Sequence, residues 1–174
     1  MGPKTKKNLE EAFAGESMAR NKYTYYSSVA RKAGYIQIAN IFEETAGNEK
    51  EHAKLWAKAL GMIKDLPEDL KDAIAGELYE TNDMYPRMEK EAIEEGETEI
   101  AKMFKEVGEV EEKHAIRYKK LLENLEKGEV FKKDEPKRWK CNNCGYIHEG
   151  DEAPDKCPAC SHPQGYFEVF VETY

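Results

Sequence analysis

Glu49-Lys-Glu-His52 and Glu111-Glu-Lys-His114 each set a carboxylate and an imidazole three residues apart. On an α-helix that spacing brings both side chains to one face, about one turn apart. Carboxylate oxygen and neutral imidazole nitrogen both bind divalent iron, manganese or zinc. In a chain with 35 acidic residues, one Glu-x-x-His carries little weight. Two of them, matched by further glutamates, carry much more. Ala14-Gly15-Glu16 recurs as Ala75-Gly76-Glu77, 61 positions later, and Glu49/His52 recurs as Glu111/His114, 62 positions later. The first part of the chain is therefore two copies of one helical-hairpin plan. In each copy the first helix offers a lone Glu after Gly, and the second offers Glu-x-x-His.

Glu16, Glu49, Glu77 and Glu111 supply four carboxylates, and His52 and His114 the nitrogen donors. Glu80 makes a fifth carboxylate, because Glu77-Leu-Tyr-Glu80 repeats the one-turn spacing. Carboxylates gathered in a helical interior cannot all stay ionised without cations, since like charges and desolvation both penalise them. Two divalent metals remove that penalty. A solvent-facing acidic stripe explains any one of these residues, but not the symmetric set. One Glu from each of two helices, with Glu-x-x-His from each of two others, is the donor arrangement of ferritin-like di-iron and di-manganese carboxylate proteins.

All four cysteines lie beyond position 140, as Cys141-x-x-Cys144 and Cys157-x-x-Cys160. Two such knuckles in a chain without a secretion signal read as a tetrahedral thiolate metal site before they read as disulfides. His148 and His162 lie nearby, but four thiolates need no histidine, so exposed loop positions are expected for both. With iron, the thiolate site carries one electron and leaves no position open for substrate.

The elements that must position these groups follow from periodicity. A first helix runs from Lys7 to about Ala33, with Leu9, Ala12, Phe13, Met18 and Tyr23 at helical steps, and Gly34 stops it. A second runs from about Gln37 to Leu60, with Ile38, Ile41, Phe42, Leu55 and Trp56 as candidate core. Pro67 opens a third towards Glu95, and Pro86 inside it should kink it by removing a donor and crowding the Asn82 carbonyl. A fourth runs from about Thr98 to Lys127. The fold class expected is mainly α: an antiparallel four-helix bundle over residues 1–127, a linker over 128–138, and a small four-cysteine domain over 139–174. Gly15, Gly47, Gly76 and Gly108 stand close to the proposed ligands, where close helix approach or room for a metal cluster would explain them. About 36 residues at the C-terminus are too few for a sufficient hydrophobic core, so the metal should hold that domain together.

Charged residues make up 36% of the chain and the net charge is −8, which argues against a nucleic-acid partner. No apolar run is long enough for a membrane span, and Met1-Gly-Pro-Lys-Thr-Lys-Lys lacks the apolar core of a signal peptide. Cytoplasmic residence is the expectation.

Taken whole, the chain resembles the rubrerythrin family of non-haem iron peroxidases. The resemblance is carried by Glu11-Ala-Phe-Ala-Gly-Glu-Ser17, both Glu-x-x-His motifs, Ala75-Gly-Glu-x-x-Glu80, Met84-Tyr85-Pro86, and the rubredoxin-like Cys141-Asn-Asn-Cys-Gly-Tyr146 with Ala153-Pro-Asp-Lys-Cys-Pro-Ala-Cys160. It implies a di-iron site in which Glu49 and Glu111 bridge, Glu16 binds the first iron, and Glu77 and His114 bind the second. It also implies that the first iron moves between Glu80 and His52 with oxidation state, Glu80 binding when oxidised, so that Glu49, Glu80, His52 and Glu111 act at the reacting centre. Tyr23 and Tyr85 match tyrosines near the family's cluster, with core packing as their plain alternative. A further iron, replaceable by zinc, would sit on Cys141, Cys144, Cys157 and Cys160 and pass electrons on for the reduction of hydrogen peroxide to water. No dinucleotide-binding glycine motif is present, so electrons would come from a separate NAD(P)H-dependent reductase or rubredoxin. The long fourth helix would separate the two sites of one subunit, and a head-to-tail homodimer would bring them closer. Ser161 departs from the glycine usual in rubredoxins. The rival readings are ferroxidase or iron storage, an oxygen-reducing protein, and a zinc-structured module without redox chemistry.

Overall fold

The computed structural model describes residues 1–173, so the last residue of the expected C-terminal domain, Tyr174, lies outside the described residues. The chain is mainly α and divides into two units, residues 1–65 and 66–174. The first unit is a hairpin of α1 (Pro3–Lys32) and α2 (Ile36–Ala59). The second holds α3 (Leu66–Tyr79), a π-helical turn (Glu80–Met84), α4 (Tyr85–Glu94) and α5 (Thr98–Glu126), followed by strands β1 (Lys132–Cys141), β2 (Ile147–Glu152) and β3 (Phe167–Val169). With α3, the π turn and α4 taken as one interrupted helix, the four expected helices are present.

Small residues build each hairpin's own interface. Ala39, Ala46 and Ala53 are buried at heptad spacing on α2, and Ala101, Gly108 and Ala115 are buried at the same spacing on α5. Each residue of the second set stands 62 positions after its counterpart. Short side chains at these steps let the paired helices approach closely. The larger candidates sort differently from the expectation. Phe42 and Trp56 are partly buried, whereas Met18, Ile38, Ile41 and Leu55 are exposed, with Leu55 at 57%. They sit on flanks that the hairpin does not cover, because the alanine stripe takes the inner position.

The helix-breaking effect of Pro86 takes the form of the π turn. Tyr85 N–H donates to the Glu80 carbonyl, five residues back. A widened turn just before the proline accommodates its missing donor and its ring. The repeat locates the same event. Glu16 to Glu77 is 61 positions, whereas Tyr23 to Tyr85 and Gly34 to Gly96 are each 62, so one residue has been inserted between Glu77 and Tyr85. Gly34 and Gly96 close equivalent helices at φ +84 and +83, a left-handed geometry that glycine adopts without a Cβ clash.

The glycine expectation holds at one position. A Cβ on Gly108 would lie 3.1 Å from Tyr85 Cβ, whereas Cβ atoms on Gly15, Gly47 or Gly76 would meet nothing within 4 Å. Strand β1 begins at Lys132, inside the stretch expected to be linker, and pairs with β2 and β3 in the antiparallel order β2-β1-β3. Trp139 on β1 is fully buried with Cys141, Ala153, Cys157 and Phe167, and its indole N–H donates to the Gly150 carbonyl at 2.9 Å. Among the described residues, no helix is long and apolar enough to cross a membrane.

Candidate metal centres

Three donor sets stand out. Glu16, Glu49 and His52 converge within the first hairpin, and Glu77, Glu111 and His114 converge within the second; in each set the ligand atoms lie within 4.8 Å of one another. His52 Nδ1 is 2.9 Å from Glu49 Oε2 and 3.8 Å from Glu16 Oε1. His114 Nδ1 is 2.6 Å from Glu111 Oε2 and 3.5 Å from Glu77 Oε2. Both sets have the same plan because the one-turn spacing on α2 faces Glu16 of α1, and that on α5 faces Glu77 of α3. A metal about 2.1 Å from each donor allows donor pairs up to about 4.2 Å apart, and all four distances fall inside that limit. The residues therefore fit a divalent ion.

Their electrostatics show the strain of gathering carboxylates. Glu16 has a raised pKa, chiefly through its hydrogen bond with Glu49 and then through desolvation and the Glu49 charge, opposed by His52 and the Trp56 N–H. Glu49 is correspondingly lowered, first by Glu16 and then by His52. Glu77 is raised chiefly by desolvation and then by the Glu111 charge, with His114 opposing. Glu16 and Glu77 thus hold their protons more tightly than ordinary carboxyls, and a metal would carry the charge that compensates their ionisation.

Glu80 stands in the π turn and is not one of the donors gathered with Glu77, which are Glu111 and His114. Its charge nonetheless reaches both Glu77 and Tyr85. Tyr85 has a raised pKa, first from desolvation and then from Glu80, Glu111 and Glu77. Its ring packs on Phe104 at 6.2 Å, just as Tyr23 packs on Phe42 at 6.0 Å. Phe104, like Tyr85, repeats its counterpart after 62 positions. Both tyrosines are packing residues, and Tyr85 in addition faces the acidic set. Phe104 was missed in the sequence, where the same offset could have found it.

In the β module, Cys141 and Cys160 sulfurs are 3.7 Å apart, as are those of Cys144 and Cys157. Four sulfurs about 2.3 Å from a central ion in a tetrahedron lie about 3.75 Å apart, so the thiols stand at metal-ligand and not disulfide separation. All four are free. The knuckles are near copies. Gly145 N–H donates to the Cys141 carbonyl and Ser161 N–H to the Cys157 carbonyl, both at 2.8 Å. Ser161 takes φ +63, matching the left-handed Gly145 at φ +79. Backbone N–H groups then reach sulfur. That of His162, aided by neighbouring donors, brings Cys160 down to about 6. The Tyr146 N–H pulls Cys144 down, but hydrogen bonding among the sulfurs and burial outweigh it and push the thiol up to about 12. The two histidines differ from the expectation of exposed loop positions. His148 lies on β2, half-buried, and His162 packs its ring on Tyr166 at 4.4 Å.

Two helical carboxylate–histidine sets followed by a four-thiolate domain define a non-haem metalloprotein with an attached rubredoxin-like module. The rubrerythrin family profile matches residues 7–122, and the profile of the rubrerythrin rubredoxin-like domain matches residues 139–168. The chain belongs to the rubrerythrin family. It is 52% identical to a rubrerythrin of Clostridium perfringens, over 99% of this chain and 97% of that one. It is 43% identical to a rubrerythrin of Nitratidesulfovibrio vulgaris, over 97% and 95%. A solved structure of partially reduced nigerythrin is 34% identical over 98% of this chain and 88% of its own, with a TM-score of 0.38.

Proposed function

We propose that this chain is a di-iron peroxidase that reduces hydrogen peroxide to water in defence against oxidative stress. The observation that carries the reading is the pairing, in one chain, of two equivalent carboxylate–histidine sets with a preformed four-thiolate site. Glu16, Glu49 and His52 would hold one iron, and Glu77, Glu111 and His114 a second. Glu80 would join as a ligand in the oxidised state, in exchange with His52. Cys141, Cys144, Cys157 and Cys160 would hold a third iron. Iron held by these residues would supply redox chemistry, two electrons for the peroxide O–O bond at the helical sets and single electrons from the thiolate site.

The chain's own residues handle charge and protons around that chemistry. Glu16 and Glu77 favour the protonated form more than ordinary carboxylates do, so protons and metal would compete for them. Tyr85, its phenol pushed up by desolvation and then by the acidic set, stays neutral beside Glu77, Glu80 and Glu111. Along α5, Glu126 lies 12 residues beyond His114, about 18 Å at 1.5 Å per residue. That length supports a head-to-tail homodimer in which each thiolate module serves a neighbour. Electrons would enter from an NAD(P)H-dependent reductase or a rubredoxin, and the site of action would be the cytoplasm.

The test is reductase-linked turnover by the iron-loaded chain. One NAD(P)H should be oxidised per hydrogen peroxide consumed, with two waters formed, and Cys157→Ser should abolish the coupling. Oxidation of added ferrous iron without peroxide-linked NAD(P)H oxidation would instead establish ferroxidase chemistry.

A further inference from the structure

The two helical sets are close copies, so a residue that breaks the copy at the site is informative. Trp56 is one. It lies on α2, four residues after His52 and seven after Glu49, on the face that carries both donors. Its counterpart 62 positions later, on α5, is Tyr118. The Trp56 indole nitrogen is fully buried and has no hydrogen-bond partner. A buried N–H left unpaired costs about 1–3 kcal/mol, so native structures rarely keep one without a use. Trp139 makes the contrast, since its indole N–H is satisfied by the Gly150 carbonyl at 2.9 Å.

Glu16 is the carboxylate that faces this stretch of α2: its Oε1 lies 3.8 Å from His52 Nδ1, one helical turn before Trp56. The Trp56 N–H favours the charged form of this carboxyl without making a hydrogen bond of good geometry. A carboxylate has lone pairs to accept more than one hydrogen bond, and Trp56 is a donor on that face without a partner.

We infer that Trp56 is a positioning residue for the first metal set, its indole N–H donating to the Glu16 carboxylate and fixing that ligand's orientation. The inference rests on the metal-binding reading of Glu16, Glu49 and His52. Outer-shell donors of this kind typically contribute 10–100-fold to metal affinity. The role is confined to one half of the repeat, because a tyrosine stands at the matching position of the other.

The test uses the full chain with its thiolate site filled by one equivalent of zinc, then titrated with further zinc. Zinc is diamagnetic, so the indole proton of Trp56 can be followed directly by 1H–15N NMR. That resonance should move downfield and exchange more slowly as the helical sets fill, while that of Trp139 stays in place. Trp56→Phe keeps the ring and removes the donor. It should weaken zinc binding to the first set about tenfold or more, with little change in the apo protein's melting temperature. An unmoved Trp56 resonance in zinc-loaded wild type overturns the positioning role, and that measurement stands even if the variant fails to fold. Unchanged affinity in a folded Trp56→Phe overturns it as well. If no zinc binds beyond the first equivalent, the metal-site reading itself fails, and the role of Trp56 falls with it.

Discussion

In the β module, four sulfurs stand together, with two pairs 3.7 Å apart, the edge length of a tetrahedral thiolate site. In the helical hairpins, each imidazole is paired with a carboxylate, and one carboxyl of each set, Glu16 or Glu77, holds its proton more tightly than an ordinary carboxyl. The supports differ in the same sense. The hairpins are held by heptad stripes of alanine and glycine, whereas the module's core is Trp139, Cys141, Ala153, Cys157 and Phe167, two of them ligands. One site is a metal clamp that makes its own domain; the other is a pair of sockets in helices that hold without it.

The largest test of that contrast is metal removal. Stripping the thiolate metal should unfold the module, because structural zinc-type binding supplies about 10–16 kcal/mol of folding energy. The near-ultraviolet signal of Trp139 should vanish while helical circular dichroism persists. Retention of the Trp139 signal after complete chelation would show that the module folds on its own core.

Within the hairpins, Glu49→Gln and Glu111→Gln should each lower peroxide turnover by about 100-fold or more through lost metal affinity, and leave the visible thiolate colour unchanged. A variant that kept full activity would remove that glutamate from the site.

A pH dependence follows from the raised carboxyls. Glu16, through its hydrogen bond with Glu49, and Glu77, through desolvation, bind protons above the ordinary value of 4.5. Their contribution to apo stability is therefore present at low pH and is lost as pH rises through the raised values. Metal binding has the opposite sign: affinity should fall as pH drops through that range, with protons released on loading. Calorimetry in buffers of different ionisation heat measures those protons. A proton count of zero just above pH 4.5 would contradict the assignment.

Two smaller substitutions probe packing. Gly108→Ala places a methyl 3.1 Å from Tyr85 Cβ, which is fixed to α4, so the helices must shift. Destabilisation of about 1 kcal/mol is expected, against a gain of up to about 1 kcal/mol for Gly47→Ala in an open helix interior. Ser161→Gly should relieve the left-handed backbone and stabilise the metal-loaded module by about 1 kcal/mol. Thermal melts of the three variants would read these signs, and equal shifts at Gly108 and Gly47 would contradict the packing difference.

Much of this was legible in the sequence because the chemistry fixes local spacing. Glu-x-x-His declares itself through one helical turn, and Cys-x-x-Cys through the knuckle. The hairpin interfaces were less legible, since alanines such as Ala46 carry little hydrophobic signal and larger residues such as Ile41 drew attention to the wrong flank. The π turn was half-visible: Pro86 announced an interruption, but its form emerged from the change of offset between Glu77 and Tyr85. Strand β1 hid within a charged run because its outward side chains are lysines and acids, and only Trp139 and Cys141 mark its buried face. The indole of Trp56 read simply as core, since no pattern of letters tells whether a buried N–H has found an acceptor.

The most direct measurement is to load the chain with iron, reduce it without air, and mix it rapidly with hydrogen peroxide or oxygen while following the ferric-thiolate colour. The account predicts fast return of colour with peroxide and slow return with oxygen, since electrons must leave the thiolate site to refill the helical one. Colour that returns as fast or faster with oxygen, or does not return with peroxide at all, would contradict it.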